Sequence, residues 1–433
     1  MFRDKAIETI DRASLDKLQL LQLKTTFTTA LKTRFYEHRF RKTPIKSADD
    51  IHSLRDLEKI PFTTKDDLRA CYPDGLLSVE KSRVVRLHTS SGTTGMPTVI
   101  YHTQADLDNW TELVCRGLTA CGVTSCDVFQ NMMTYGLFTG GLGLHYGAER
   151  LGALVIPAGA GNTQRQLQLM KDFRTTALHA TPNYMLHIML KLDEFNCSLD
   201  ELSVKKVFLG AEPYTENTRK KIESFYQIEA YNCYGLSELN GPGVAMECVH
   251  KTDPHIWEDS YLVEIIDPET GQVLKDGEEG ELVLTTLKRE ATPLLRYRTR
   301  DLTRIHTEPC PCGRTHRRIA RITGRSDDML IINGVNVFPS QIEEVLMKRP
   351  EVGTNYQIVV DQHESLDRLT IKVELYAKLF EGDIKDLERL RDAMKHDMRS
   401  TLLVGARVEL HEPGSLPVSE GKAKRVVDLR KEV

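Results

Sequence analysis

The stretch that decides the fold reads LHTSSGTTGMPTVI and occupies residues 87–100. Residues 89–95 are all Ser, Gly or Thr, so they cannot fill a core, and their backbone N–H groups stay uncovered, which is how a loop wraps a phosphate. The strand-like runs on either side favour a β-loop-β hairpin over the alternative, a mobile Gly/Ser/Thr linker. The predicted phosphate-binding residues are Ser90, Ser91, Gly92, Thr93, Thr94 and Gly95.

This loop is not a Walker A motif, because nothing in it reads G-x-x-x-x-G-K-[ST]. It resembles S-S/T-G-T-T-G-x-P-K, the signature loop of the adenylate-forming enzymes, or acyl-CoA synthetase superfamily. Thr98 stands where that signature has its final Lys. With this replacement, SSGTTGMPT resembles the phenylacetate-coenzyme A ligase branch.

Composition excludes several other classes of protein. A chain of 433 residues is long enough for two or more domains, and 40% hydrophobic with 28% charged residues is ordinary for a globular protein. The net charge of -4 argues against a nucleic-acid binder. We find no signal peptide and no apolar run long enough to span a membrane, and nine cysteines without a disulfide spacing favour a reducing cytoplasm.

Strand and helix patterns alternate about four times up to residue 226, which predicts an α/β fold with a parallel sheet covered by helices. We expect a β-rich subdomain at about 244–324 and a small, mobile α+β domain at the C-terminus. The predicted domains are 1–326, for adenylation, and 327–433, a lid. Within the first, residues 14–40 predict one long amphipathic helix and residues 154–157 a short buried strand.

A second motif, YGLSE at 234–238, matches the superfamily's Y-G-x-[ST]-E. A carboxylate at Glu238 beside the hydroxyl of Ser237 suits Mg²⁺, a hard cation that binds carboxylates, waters and phosphate oxygens. The alternative is a solvated loop glutamate. The resemblance also implies nucleotide contacts from Tyr234 and Gly235.

Three further motifs follow in the superfamily's order. YRTRD at 297–301 resembles Y-x-T-G-D with Arg300 in place of Gly, which makes Asp301 the ribose ligand. TGRSDD at 323–328 resembles the hinge motif, with Arg325 on ribose or phosphate and Asp327 as the swivel. Near the C-terminus, PVSEGKAKR resembles P-x-x-x-S-G-K and makes Lys422 the catalytic lysine, with Lys424 as the alternative and a surface basic run as the bland interpretation.

The resemblance implies a two-step reaction on an aryl acid, most simply phenylacetate or a close arylacetate. Carboxylate and ATP give an acyl-adenylate and pyrophosphate, and the thiol of coenzyme A then displaces AMP. In this reading Lys422 and Glu238 are catalytic. The remaining predicted site residues, for nucleotide or acid, are Tyr135, Phe138, Gly210, Ala211, Glu212, Asn232 and Tyr234.

Two alternatives to this reading stay open. The acyl acceptor could be the phosphopantetheine of a carrier protein, and the basic CPCGRTHRR stretch at 310–318 could belong to a zinc-knuckle interaction module. The partners that we expect are the aryl acid, ATP and coenzyme A, with no nucleic acid and no membrane. A homodimer is left open.

A separate pattern concerns a structural metal. Cys310 and Cys312 form a C-x-C-G knuckle, and Cys248 with His255 precede it in the same β-rich region. A closed set of three cysteines and one histidine is a tetrahedral structural zinc site. Unrelated thiols and a surface histidine are the alternative.

Overall fold

The structure is a computed structural model that describes residues 1–90, 96–363, 366–376, 384–417 and 425–432. Several predicted site residues therefore lie outside the described residues: Ser91, Gly92, Thr93, Thr94, Gly95, Lys422 and Lys424. Within the described ranges, no helix combines the length and the apolar composition needed to cross a membrane.

The helices are α1 Lys5–Glu8, α2 Arg12–Ala30, α3 Arg34–Phe40, α4 Lys65–Ala70, α5 Gln104–Ala120, α6 Thr139–Leu151, α7 Thr163–Asp172, α8 Pro182–Lys191, α9 Glu216–Tyr226, α10 Pro339–Met347 and α11 Ile384–Leu402. The strands are β1 Arg86–Ser90, β2 Thr98–His102, β3 Val128–Asn131, β4 Leu154–Ile156, β5 Ala177–Ala180, β6 Lys206–Leu209, β7 Glu229–Tyr234, β8 Ala245–Met246, β9 His255–Ile256, β10 Tyr261–Ile266, β11 Gly280–Thr286, β12 Tyr297–Thr303, β13 Ile305–His306, β14 Arg318–Ile319, β15 Gly324–Arg325, β16 Leu330–Ile332, β17 Val335–Val337, β18 Val352–His363, β19 Leu366–Leu375, β20 Ala406–His411 and β21 Val426–Asp428.

The chain folds into two compact units, of which the first comprises Met1–Ala180, Leu202–Ala211 and Tyr231–Ile322. Its main sheet has the order β13-β14-β9-β8-β7-β6-β5-β3-β4. Strands β4, β3, β5 and β6 run parallel, as the alternating pattern predicts, whereas β7, β8, β9, β14 and β13 are joined by antiparallel pairs. The predicted α/β class is confirmed, and its sheet is mixed.

Close helix packing supports this sheet. Helices α5 and α6 approach so tightly that a Cβ on Gly147 would lie 2.4 Å from a methyl group of Val114. Trp110 is 2% exposed, and its indole N–H donates to the carbonyl oxygen of Pro242 at 2.6 Å. The buried polar end of this large apolar side chain is thus satisfied, and α5 is fixed to the loop after β7.

Strands β10, β11 and β12 form the predicted β-rich part of the first unit as an antiparallel set. Two buried ion pairs brace it. The guanidinium of Arg116 donates to Asp259 at 2.7 Å, and the guanidinium of Arg296 contacts both carboxylate oxygens of Glu264, at 3.0 and 2.8 Å. These charges are paired, as burial requires, so they hold β10 in one position.

The second unit comprises Thr181–Glu201, Glu212–Ala230 and Thr323–Val433. It contains a sheet of order β20-β19-β18-β21. Its buried apolar cluster includes Ile342 of α10, Ile358 of β18, Ile371 of β19 and Met394 of α11. This is the α+β arrangement that the C-terminal sequence predicts, and the boundary at 326/327 stays a prediction.

Two local predictions were wrong. Residues 14–40 form two helices, because the Thr33 hydroxyl donates to the Ala30 carbonyl at 2.8 Å and accepts from the Tyr36 amide at 3.2 Å, ending α2 and capping α3. Strand β4 is not buried: it is the edge of the sheet, and Leu154 is 57% exposed.

Candidate functional site

The predicted β-loop-β hairpin is confirmed on both sides of the loop. Strands β1 and β2 pair antiparallel, with Ser90 opposite Thr98. Their hydroxyl oxygens are 2.6 Å apart. Thr98 is fully buried, so the residue that stands in place of the signature lysine closes the base of the hairpin.

Glu238 lies directly beside this base. It belongs to a 3-10 turn, Ser237–Leu239, that follows β7, and it is 3% exposed. The Thr98 hydroxyl donates to its Oε1 at 3.4 Å, and the Lys65 ammonium lies 3.4 Å from the same oxygen. The Thr98 hydroxyl thus lies within hydrogen-bond distance of both Ser90 and Glu238. The structure thus brings together two predicted site residues, Ser90 and Glu238, and adds Lys65.

The backbone around Glu238 is fixed from the opposite direction. The buried guanidinium of Arg289 donates to the Glu238 carbonyl at 2.7 Å and to the side-chain oxygen of Asn240. The hydroxyls of Ser237 and Thr139 are 3.1 Å apart. Burial lowers the pKa of Arg289, while the nearby Glu238 carboxylate favours its charged form. The turn is therefore held by hydrogen bonds to its backbone and to its side chains.

Two residues predicted to bind the nucleotide, Tyr234 and Asp301, contact each other within the first unit. The Tyr234 hydroxyl donates to Asp301 at 2.6 Å, and the Asp301 amide donates to the Thr299 hydroxyl at 3.1 Å. Arg300, which replaces the motif's Gly, has φ 67°, a left-handed conformation. Its amide donates to Glu281 at 3.3 Å. An arginine in this conformation costs roughly 1–2 kcal/mol, whereas glycine adopts it without that cost.

Three small residues let the backbone approach closely at the ends of β6 and β7. A Cβ on Gly210 would lie 2.7 Å from the Cys233 sulfur, and one on Gly235 would lie 2.5 Å from the Gly241 Cα. Ala211 has φ 71°. Asn232 is 9% exposed, and its backbone N–H donates to the buried carboxylate of Glu247 at 2.7 Å. The backbones at these two strand ends therefore pack closely against neighbouring residues.

The predicted acid-pocket residues lie on the loop between β3 and α6. The Tyr135 hydroxyl accepts from the Asn131 amide at 2.9 Å and lies 3.1 Å from His145 Nδ1; burial raises its pKa to about 12. The Phe138 ring folds over Gly140, where a Cβ would lie 2.2 Å from it. The carbonyl of Leu137 accepts from the Thr89 amide at 3.1 Å, so this loop is tied to strand β1.

Three other predicted residues belong to the second unit. The Glu212 carboxylate accepts from the Asn183 amide at 3.0 Å. The Arg325 guanidinium donates to both oxygens of Asp327 at 2.9 Å. The predicted swivel residue is thus held by the predicted ribose or phosphate ligand in the same motif.

The four predicted zinc ligands also come together, within the first unit. One ligand atom from each of Cys248, His255, Cys310 and Cys312 lies within 4.8 Å of all the others. The Cys248 and Cys310 sulfurs are 3.7 Å apart, and the Cys312 sulfur is 3.4 Å from His255 Nε2. Tetrahedral zinc with Zn–S near 2.3 Å needs sulfurs about 3.8 Å apart. His255 Nδ1 lies 3.1 Å from the His316 carbonyl, the outer bond that metal-bound histidines make.

Sequence reasoning missed Lys65, Arg289, Asn131 and His145. Lys65 begins α4 behind the Thr64 cap, and its position predicts only a helix terminus. Its approach to Glu238 depends on the tertiary fold. Asn131 offered a weak signal, since it ends a buried strand where polar residues face a ligand in α/β sheets.

The profile described as AMP-binding enzyme matches residues 21–287, and that described as AMP-binding enzyme C-terminal domain matches residues 334–430. The first of these spans more than half of the chain.

The chain is similar along its whole length to characterised proteins. It is 46% identical to the phenylacetate-coenzyme A ligase of Aromatoleum evansii over 98% of this chain and 97% of the relative. It is 46% identical to that of Escherichia coli (strain K12) over 99% of both chains. Among solved structures, 2-hydroxyisobutyryl-CoA ligase with 2-HIB-AMP superposes with a TM-score of 0.93 at 28% identity, covering 99% of this chain and 92% of that one.

The hydroxyl at the base of the hairpin yields a stability prediction. Thr98→Val keeps the side-chain volume but removes the bonds to Ser90 and Glu238, so we expect the free energy of unfolding to fall by about 1–3 kcal/mol. Urea denaturation measures this. Thr25→Val, at an exposed site on α2, is the control and should stay within about 0.5 kcal/mol; equal effects of the two changes would contradict the assigned bonds.

Proposed function

The chain belongs to the AMP-binding enzyme family, and on this premise we propose that it joins an aryl carboxylic acid to coenzyme A through an acyl-adenylate. One observation carries the proposal for the site: Ser90, Thr98, Lys65 and Glu238 converge at the base of the hairpin that carries the Gly/Ser/Thr loop. Hydroxyls, an ammonium and a carboxylate at the foot of such a loop suit a triphosphate and its cation.

The reaction has two steps. The substrate carboxylate attacks the α-phosphorus of ATP, an O–P bond forms, and pyrophosphate leaves with the pair of electrons of the broken P–O bond. The coenzyme A thiol then attacks the acyl carbon, AMP leaves, and the thiol proton is released. The first step gathers negative charge on the α-phosphate, so positive groups fixed near it before reaction lower the barrier.

Glu238 and Lys65 have complementary parts in that charge balance. The oxygen atoms here, from the Glu238 carboxylate and the Ser90 and Thr98 hydroxyls, are of the kind that binds Mg²⁺. Mg²⁺ bound there would supply positive charge that neutralises the phosphates. Lys65 supplies a further positive charge at a place where Thr98 offers only a hydroxyl. This arrangement explains how the loop dispenses with the lysine of the superfamily signature.

The other site residues are assigned to the two substrates, ATP and the aryl acid. Asp301, oriented by Tyr234, accepts hydrogen bonds from ribose hydroxyls. Tyr135 and Phe138 enclose the aryl group, and Gly210 allows the substrate to approach the sheet closely. Assigned to the nucleotide are Ala211, Glu212, Asn232, Gly235, Ser237, Arg325 and residues 90–95.

The proposed acid is phenylacetate or a close arylacetate, since relatives 46% identical over nearly the full chain carry that activity in their names. The carrier-protein alternative is not favoured, because those relatives are coenzyme A ligases. The knuckle-module alternative leaves the family match unexplained. A cytoplasmic location and a homodimer stay predictions.

The proposed substrate is tested by a panel of aromatic, arylacetic and short aliphatic acids. We expect AMP formation that depends on ATP, Mg²⁺ and coenzyme A, with the highest kcat/KM for phenylacetate or a close relative. An apolar pocket separates acids that differ by one methylene by only about 10- to 200-fold, so neighbouring acids should react more slowly. AMP formation without dependence on coenzyme A for every acid would contradict the acceptor.

The two half-reactions test the lysine and the hinge. If Lys422 acts only at the α-phosphate, Lys422→Ala should abolish pyrophosphate release while supplied acyl-adenylate and coenzyme A still give thioester. Asp327→Pro, which fixes φ near -65°, should do the reverse by blocking a hinge rotation. Lys424→Ala is the control for the lysine. Equal loss of both half-reactions in folded Lys422→Ala would shift the assignment to Lys424.

We also propose that Cys248, His255, Cys310 and Cys312 bind a structural Zn²⁺. The sulfur spacing, the burial and the His255 bond to a carbonyl support it. The residues after the knuckle hold the N-terminal segment: Arg314 donates to Glu8 at 2.7 Å and to the Met1 carbonyl at 2.6 Å. The metal would therefore anchor residues 1–10 indirectly.

The zinc proposal predicts about one equivalent of zinc in protein purified without chelator, measured by elemental analysis. Cys312→Ser should lose that zinc, lower the melting temperature and expose residues 1–10 to limited proteolysis, while the ATP affinity of the folded fraction stays near that of the wild type. Cys126→Ser, at an exposed cysteine, is the control. Wild-type protein without zinc would refute the site.

A further inference from the structure

Arg425 is the first described residue after the segment that carries Lys422, and its position is fixed by several contacts. The Ile358 amide donates to the Arg425 carbonyl at 2.7 Å. The guanidinium lies 3.8 Å from the centroid of the Tyr356 ring and donates to the Tyr356 carbonyl at 3.2 Å. The guanidinium also donates to the side-chain oxygen of Asn183. The arginine therefore joins the last strand, β21, to the start of α8.

Asn183 also contacts a predicted nucleotide residue. Its backbone amide donates to the Glu212 carboxylate at 3.0 Å, while its side-chain oxygen accepts from Arg425. The Thr181 hydroxyl accepts from the amide of Tyr184 and caps α8, which starts with Pro182. Asn183 thus sits on a rigid helix start between Glu212 and Arg425.

The support beneath Arg425 is buried and polar. Tyr356 is 3% exposed, and its hydroxyl donates to Glu343 at 3.0 Å. The other Glu343 oxygen accepts from the Thr218 hydroxyl at 2.8 Å and the Thr215 amide at 3.3 Å. All of these residues lie in the second compact unit, so Arg425 rests on a connected set of hydrogen bonds rather than on solvent.

The contact between Arg425 and Asn183 lies close to Lys422 along the chain and joins residues on either side of the predicted hinge. Lys422 precedes Arg425 by three residues, which span at most about 11 Å. Asn183 lies before the predicted boundary at residue 327 and Arg425 lies after it, so a rotation about Asp327 has to break their contact. We propose that Arg425 is a positioning residue for adenylation: its contact with Asn183 fixes the chain at residue 425, three residues after Lys422, and is broken for thioester formation. This inference rests on the proposed function.

The test compares the two half-reactions in the full-length enzyme: pyrophosphate release with phenylacetate and ATP, and thioester formation from supplied phenylacetyl-adenylate and coenzyme A. Misplacement of a catalytic group by about 1 Å can cost on the order of 100-fold, so we expect Arg425→Ala to slow the first by tenfold or more and leave the second within twofold. Asn183→Ala should act in the same direction. The double variant should be no slower than Arg425→Ala, because the contact between Asn183 and Arg425 is already lost in that single variant.

The matched control is Arg430→Ala. Arg430 pairs with Asp428 at 2.9 Å and Asp367 at 3.0 Å in the same unit but has no described contact with α8. We expect the ratio of its half-reactions to match that of the wild type. Equal losses of both steps in Arg425→Ala and Asn183→Ala, or the same altered ratio in Arg430→Ala, would overturn the proposal. A wild-type enzyme that forms no AMP with any acid would instead refute the proposed function.

Discussion

Glu238 is a carboxylate with 3% of its surface exposed, and such a group is stable only where positive charge and hydrogen-bond donors surround it. Its partners come from distant parts of the chain: Thr98 from the hairpin, Lys65 from the start of α4, and Arg289 on its carbonyl. The Lys65 side chain is 38% exposed, so solvent screens its pairing with the carboxylate, whereas the Thr98 hydroxyl at the same oxygen is buried. The hairpin, α4 and the turn after β7 are therefore bound to one another through a single side chain. The same side chain is the proposed cation ligand, so stability and chemistry impose the same geometry.

The sequence predicts those parts of the site that are local. The hairpin follows from a run of small residues between two strand-like runs, and the parallel strands follow from alternating helix and strand patterns. Lys65 and Arg289 could not be predicted, because each acts on Glu238 from far along the chain and neither lies in a recognisable motif. The break in the first long helix was missed for a different reason: Thr33 interrupts the amphipathic pattern for only a few residues, and its hydroxyl contacts become visible only in the structure. Local patterns thus identify the elements, and tertiary contacts select the active side chains.

Two of the departures from the superfamily motifs, at Arg300 and at Thr98, have physical explanations of different kinds. At Arg300 the backbone has the left-handed conformation that glycine adopts without strain, so this backbone suits the motif's glycine and holds an arginine here. At Thr98 the side chain changed and the neighbourhood compensates: a buried lysine there would stand close to the Lys65 ammonium, and like charges at short range disfavour each other. A motif mismatch is therefore informative only once it is known whether the motif residue supplies backbone shape or charge.

A domain that alternates between two arrangements needs contacts that hold each one weakly enough to be exchanged. In the second unit the buried apolar cluster extends from Leu330 to Val408. The described contacts between residues 181–230 and this C-terminal part include polar ones: Arg425 with Asn183, Glu343 with Thr215 and Thr218, and the Lys221 ammonium with the Val352 carbonyl. Each such bond contributes a net stabilisation of about 0.5–1.5 kcal/mol. Several such bonds together contribute a free energy of the size by which a ligand can shift the equilibrium between two conformations. That shift equals the difference between the ligand's binding free energies for the two conformations. The rotation proposed about Asp327 would therefore break polar contacts of this kind, each of which contributes little by itself.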